Sequence, residues 1–158
     1  YFIMKRLVLK FGGTSVGTIE KIKNVANIIK KRFNEGDEII VVDSYSSDNT
    51  LKIVHEYDIR IVQNEYINSS TQKNWALKYC NYDWILQIDS DEILENNAET
   101  IIRESIHNVD DSIDCFRLAR KNHVLGKWIR YGGFYPDWEY RLFRKTSGQW
   151  NEREVHAR

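Results

Sequence analysis

The sequence holds a single proline and only two cysteines in 158 residues. Cys80 and Cys115 show no metal-ligand spacing, so free thiols in a cytosolic protein are expected rather than a disulfide framework. No apolar stretch approaches the ~20 residues of a membrane-spanning helix. The opening YFIMKRLV is too short, with the wrong charge order, for a secretory signal; Met4 is the expected natural start, with Tyr1–Ile3 left over from elsewhere. Net charge is absent too, with 23 Lys/Arg against 23 Asp/Glu. No basic run or recognisable binding module points to nucleic acid. The length suits one domain with a single core.

The zero balance conceals an uneven distribution. Residues 81–116 carry ten acidic side chains against Arg103 alone, whereas residues 117–158 carry ten Lys/Arg against four acids. In that basic end stand Trp128, Tyr131, Phe134, Tyr135, Trp138 and Trp150. Such a surface suits an anionic small molecule or an anionic membrane, and equally a solvated rim around a β-rich end.

The first half alternates strand and helix. Leu7–Phe11 reads as a strand, and Ile19, Ile22, Ala26, Ile29 and Phe33 recur at helical spacing over Thr18–Phe33, closed by Gly36. Ile39–Val42 is an apolar run suited to a parallel strand buried on both faces. Asp48 or Asn49 caps a helix carrying Leu51, Ile53, Val54 and Tyr57. Ile59–Val62 is a strand, Ser69/Ser70 cap a helix through Tyr79, Trp84–Ile88 is the fourth strand, and Ala98–Ile106 is helical. After Ile113 the pattern alternates with period two, in 115–120 and again in 140–144, which predicts antiparallel strands. The expected class is α/β: a layered domain with a mostly parallel central sheet flanked by helices and a mixed or antiparallel C-terminal β part.

Ligands of an open parallel sheet sit at the carboxyl ends of its strands. Two such ends are acidic here: Asp43 after the second strand, and Asp89-Ser90-Asp91-Glu92 after the fourth. Carboxylates at i and i+2 leaving a strand can reach one point and clamp a hard cation with a diphosphate. In isolation the same triplet reads as capping of a short turn through 93–96; Asp43 at a neighbouring strand end favours the clamp.

Four stretches then stand in register: EIIVVDSYSSDNTLKIV, QKNWALKY, DWILQIDSDEIL and YPDWEYRLFRK. Over about residues 38–158 they resemble family 2 glycosyltransferases of the GT-A (Rossmann-like) fold, in the lipopolysaccharide-core glucosyltransferase-like branch. The resemblance implies transfer from a nucleotide-diphosphate sugar to a glycolipid or other cell-envelope acceptor, with a divalent metal, Mg²⁺ or Mn²⁺. The expected location is cytoplasmic, with peripheral contact at the inner face of an anionic membrane through the basic, aromatic end. The resemblance places Asp43 on the base or ribose, Lys73 near the nucleotide or its phosphates, and Asp89 and Asp91 as the metal-binding pair. Asp137 is the first choice of catalytic base and Glu139 the second; either also reads as a surface or strand-pairing carboxylate. His156 is a further candidate at the metal, against the plainer reading of an exposed terminal side chain.

The opening departs from that family. MKRLVLKFGGTSVGTIEKIKNVANIIKKRFNEG, residues 4–36, resembles the start of aspartate kinase, in which Lys10, Gly12, Gly13 and Ser15 would approach ATP phosphates. The length excludes a complete kinase. The chain therefore reads as a chimera forming one domain over 1–158: a kinase-like strand and helix in 1–37 serving as scaffold for a glycosyltransferase-like segment, 38–158, that is C-terminally truncated. Weakened nucleotide binding and self-pairing through exposed apolar surface are the expected costs.

Overall fold

The structure, a computed structural model, describes residues 6–10 (main chain only), 38–56, 59–89 and 92–151. The helix expected over 18–33, its Gly36 cap and Tyr57 lie outside the described residues.

Six strands form one sheet in the order β3-β2-β1-β4-β8-β5. They are β1 (Arg6–Lys10), β2 (Glu38–Asp43), β3 (Arg60–Gln63), β4 (Trp84–Asp89), β5 (Cys115–Arg120) and β8 (Asp137–Arg144). The first four run parallel, with β1 pairing β2 on one side and β4 on the other. β8 lies antiparallel to β4 and to β5, as the period-two patterning predicts. A two-stranded hairpin, β6 (His123–Val124) with β7 (Lys127–Trp128), follows β5.

Both faces of β2 and β4 are covered, which is why those strands are almost wholly apolar. Successive side chains of a strand point to opposite faces, so β2 sends Ile39 and Val41 into one core and Ile40 and Val42 into the other. The first core gathers Leu86 and Ile88 with Val54 of α1 (Thr50–Val54) and Ile102 and Ile106 of α3 (Ala98–His107). The second packs Ile85, Phe143 and Trp150 against Ala76 of α2 (Ser69–Leu77) and the buried Cys80. Both cysteines are free thiols.

Three expectations are corrected. The α2 cap is Asn68, whose Oδ1 accepts the Thr71 backbone N–H at 2.8 Å; its extended backbone leaves Ser69 and Ser70 inside the first turn. Trp150 is not part of an exposed rim: Asn74 grips both its backbone groups, at 2.9 and 2.8 Å, and seats its ring edge-on against Phe143. Asp43 and Asp89 do not end neighbouring strands, because β1 lies between β2 and β4. At about 4.8 Å per strand their main chains are about 10 Å apart.

Candidate functional site

The strand order reverses between β1 and β4: the chain runs outward to β3 on one side, then returns to place β4 on the other. In open α/β sheets this switch point opens a crevice beyond the carboxyl ends of the strands. β4 ends there in Asp89. β8 runs the opposite way, so its first residues arrive at the same end of the sheet.

Alternation places Asp137 and Glu139 on one face of β8, with Arg120 of β5 paired opposite Asp137; the β5–β8 register shifts at Arg141, which joins the same charges through its own contacts. A continuous charge network results. Both terminal nitrogens of Arg141 donate to Asp89 Oδ2 at 3.1 Å, and Nη2 also donates to Glu92 Oε1 at 2.5 Å. Glu92 accepts the Asp89 backbone N–H at 2.9 Å. Arg120 stands 3.6 Å from Glu92, 2.7 Å from Asp137 and 3.4 Å from Glu139. Asn122 donates to Asp137 at 2.8 Å. Two arginines thus tie the strand-end carboxylates to both candidate bases.

Sequence reasoning missed Arg120, Arg141 and Glu92 as members of this site. The period of two in DWEYRLFR groups residues 137 and 139 but not 141, because the β5–β8 register shifts between residues 140 and 142.

The network sets the protonation of its members. The bond from Asn122, and then those from Arg120, hold the Asp137 carboxyl below its usual range, so it is ionised at neutral pH. Burial pushes the Glu92 carboxyl up, partly opposed by Arg141. Burial also lowers the Lys73 ammonium, with Asp89 opposing that shift and Arg141 adding to it. Lys73 reaches this field from α2, its ammonium 4.4 Å from the Trp150 ring centre. Beside it lies a cavity of about 10 Å³ lined by Lys73, Gln87, Phe143 and Trp150 among others, room for about one water. Gln87 donates to Asp89 at 3.2 Å, while its buried Oε1 has no hydrogen-bond partner among the described residues.

Asp43 occupies a different place. It is 0% exposed, accepting from Ser46 Oγ at 2.5 Å, Ser46 N at 3.1 Å and Gln63 Nε2 at 3.0 Å. It shapes the loop after β2 from within, and Tyr45 at the crest is 63% exposed with φ +56°. The structure therefore brings together Lys73, Asp89, Asp137 and Glu139, and sets Asp43 apart. Asp91, His156, the Lys10 side chain, Gly12, Gly13 and Ser15 lie outside the described residues.

The described residues by themselves do not fit a divalent cation. No three His, Cys, Asp or Glu side chains among them converge on one point, and Asp89 and Glu92 already receive the Arg141 guanidinium.

The family model described as "Glycosyl transferase family 2" matches residues 18–157. The chain belongs to glycosyl transferase family 2. Among curated relatives, the lipopolysaccharide core biosynthesis glycosyltransferase LpsC of Rhizobium meliloti is 29% identical over 125 residues, 75% of this chain and 46% of LpsC. The family 2 match coexists with a second likeness: Ask_LysC, an aspartate kinase of Stutzerimonas stutzeri, is 49% identical over 51 residues, 32% of this chain and 12% of the kinase. Among solved structures, S. aureus TarS 1-349 in complex with UDP-GlcNAc matches 90% of this chain and 46% of its own, with TM-score 0.66 and 21% identity. The mannosyltransferase PcManGT of Pyrobaculum calidifontis, in complex with GDP-Man and Mn²⁺, matches 72% of this chain and 35% of its own, with TM-score 0.52 and 19% identity. The expected GT-A-like fold is thereby shown. This family 2 chain spans less than half the length of LpsC.

Proposed function

We propose that this chain carries the donor-binding and catalytic core of an enzyme that transfers a sugar from a nucleotide-diphosphate sugar to a lipopolysaccharide-type acceptor of the cell envelope. The observation that carries the reading is the network from Asp89 through Arg141, Glu92 and Arg120 to Asp137, which joins the switch-point crevice to an ionised carboxylate. The UDP-GlcNAc complex of a fold neighbour and the name of the LpsC relative support the donor and acceptor classes.

In this reading Lys73 and Arg141 face the diphosphate. Asp137 accepts the acceptor hydroxyl proton as that oxygen bonds to the anomeric carbon. The bond from that carbon to the diphosphate oxygen breaks with its electron pair leaving on the diphosphate, inverting the centre. Glu139, on the same face and 3.4 Å from Arg120, is the second candidate base. Asp43 acts on the base or ribose through the loop it shapes. A divalent cation, Mg²⁺ or Mn²⁺, enters the proposal through Asp91 beside Asp89, with His156 as a further ligand; the Mn²⁺ complex of PcManGT supports it.

We further infer a chimeric origin, in which the kinase-like opening supplies scaffold. β1 is a central strand, hydrogen-bonded on both sides, so that segment completes the sheet whatever its glycines bind. No helix among the described residues is long and apolar enough to cross a membrane, and the proposed place of action is peripheral, at the inner face of the membrane.

Thermal unfolding with UDP, GDP and ATP, each with and without Mn²⁺, tests the donor site. A ligand at 100 times its Kd adds about 2.7 kcal/mol, a shift of several degrees. A manganese-dependent shift with a nucleoside diphosphate, lost in Asp91→Ala, is the expected result. A shift with ATP alone would transfer the binding function to the Gly12–Gly13 turn and overturn the reading.

A further inference from the structure

Beyond the paired ends of β5 and β8, Arg120 and Asp137, the chain makes an excursion that the core does not use. Residues 121–136 contain Lys121, Lys127 and Arg130 and no acidic residue at all. They include the β6–β7 hairpin, whose turn residues Leu125 and Gly126 both have positive φ, +50° and +76°. Asn or Gly is the usual occupant of the first of these positions, because a branched apolar side chain there meets the backbone. Leu125 occupies it nonetheless and is 98% exposed. Val124 beside it, and Tyr131 and Phe134 in the segment that follows, are exposed as well. Lys121 is engaged with Glu95, and it and Arg130 both stack on the Trp128 ring.

We propose that this excursion docks the protein on a bilayer containing anionic lipid, with Val124, Leu125, Tyr131 and Phe134 entering the interface and Lys127 and Arg130 at the headgroups. Charge complementarity selects the occupant. Lys127 and Arg130, in a segment with no acid of its own, are attracted to a negative leaflet, whereas two copies of that segment repel one another. The aliphatic tip favours lipid over a saccharide, since Val124 and Leu125 offer a sugar neither a ring face nor a side-chain hydrogen bond. The position is functional as well as chemical. Because β8 runs antiparallel to β4, the excursion stands at the Asp89 end of the sheet, beside the proposed acceptor entrance. That a lipid-linked acceptor is delivered there rests on the sugar-transfer reading; bilayer binding itself does not.

The test is co-sedimentation of the 158-residue chain with phosphatidylcholine vesicles, with and without phosphatidylglycerol, in the absence of nucleotide. Binding is expected only with phosphatidylglycerol and should weaken with added salt. Leu125→Asn suits the turn and should melt no lower than the parent, yet lose about tenfold or more in vesicle affinity. Lys127→Gln and Arg130→Gln should each cost about fivefold. Failure to sediment with either vesicle, equal binding to both, or parental affinity in all three variants would overturn the proposal. Nucleotide binding, measured without vesicles, is unaffected by any of these outcomes, so the two readings fail separately.

Discussion

Removing Arg141 tests whether the site is a compensated charge network or merely a crowd of charged side chains. Its side chain is 8% exposed and bonds to Asp89 and Glu92, whose side chains are 34% and 21% exposed. Arg141→Met fills most of the volume but leaves two carboxylates facing one another. Breaking a buried pair by removing one partner costs about 3–5 kcal/mol. Partial exposure of both acids, and Arg120 3.6 Å from Glu92, reduce the expected loss to about 2–3 kcal/mol. For a chain of this size that lowers Tm by about 5–10 °C.

The pH dependence gives the prediction its sign. Burial already raises the Glu92 carboxyl above 4.5, and Arg141 opposes that rise. Without Arg141 the folded-state value climbs further. A group whose folded pKa is raised contributes stability fully present below its unfolded pKa and lost as pH rises through the folded one. The deficit relative to the parent should therefore be smallest at or below pH 4.5 and grow toward neutrality. Thermal unfolding of both proteins across that range is the assay, with Glu92→Gln added to the variant to recover about 1 kcal/mol at neutral pH. A deficit under about 0.5 kcal/mol, or one independent of pH, would refute the reasoning.

Lys73 should behave in the opposite way. Burial lowers its ammonium below 10.5, so the parent gains stability as pH rises from the folded value toward 10.5, and Lys73→Met abolishes that gain. Losing the contact with Trp150 costs about 0.5–1 kcal/mol, offset by relief of desolvation; melting at neutral pH should hardly move. Nucleoside diphosphate affinity, read by calorimetry, should fall about 10- to 100-fold, and an unstable variant with unchanged affinity would refute the assignment. Asp137→Asn should lower turnover about 10²-fold or more while leaving donor binding intact. Because the Asp137 carboxyl lies below 3.8, both its ionised state and its contribution to stability persist above that range and are lost only as pH falls through it. Collapse of turnover in Glu139→Gln alone would move the base to Glu139.

Local pattern carried the strands well and their neighbours poorly. IIVV is apolar throughout and WILQI apolar but for Gln87 because each strand is covered on both faces, and the alternation in CFRLAR and in the first half of DWEYRLFR follows from one exposed face. Neither pattern says which strand lies beside which. The separation of Asp43 from Asp89 comes from β1 inserting between β2 and β4, a pairing between segments far apart in sequence. The α2 cap was missed by one or two residues because Asn68, Ser69 and Ser70 are all competent caps, and only backbone conformation selects Asn68. Trp150 read as rim because its burial depends on Asn74, 76 residues earlier. Arg120 and Arg141 looked like ordinary basic residues for the same reason: their partners lie on other elements.

The topology also accounts for why the strand-end carboxylates and the proposed bases meet at one end of the sheet. Parallel strands bring only their carboxyl ends to the crevice, so β1 to β4 contribute strand-end groups such as Asp89. A strand whose amino end must reach that crevice has to run antiparallel, and β8 does. Its first residues, Asp137 and Glu139, thereby stand beside the strand-end carboxylates, and Arg120 and Arg141 are required between them because four acids that close would otherwise repel. The same geometry obliges the segment joining β5 to β8 to project at the mouth of the site. Its charge and its apolar tip are thus features of the Asp89 end of the sheet, placed there by strand direction.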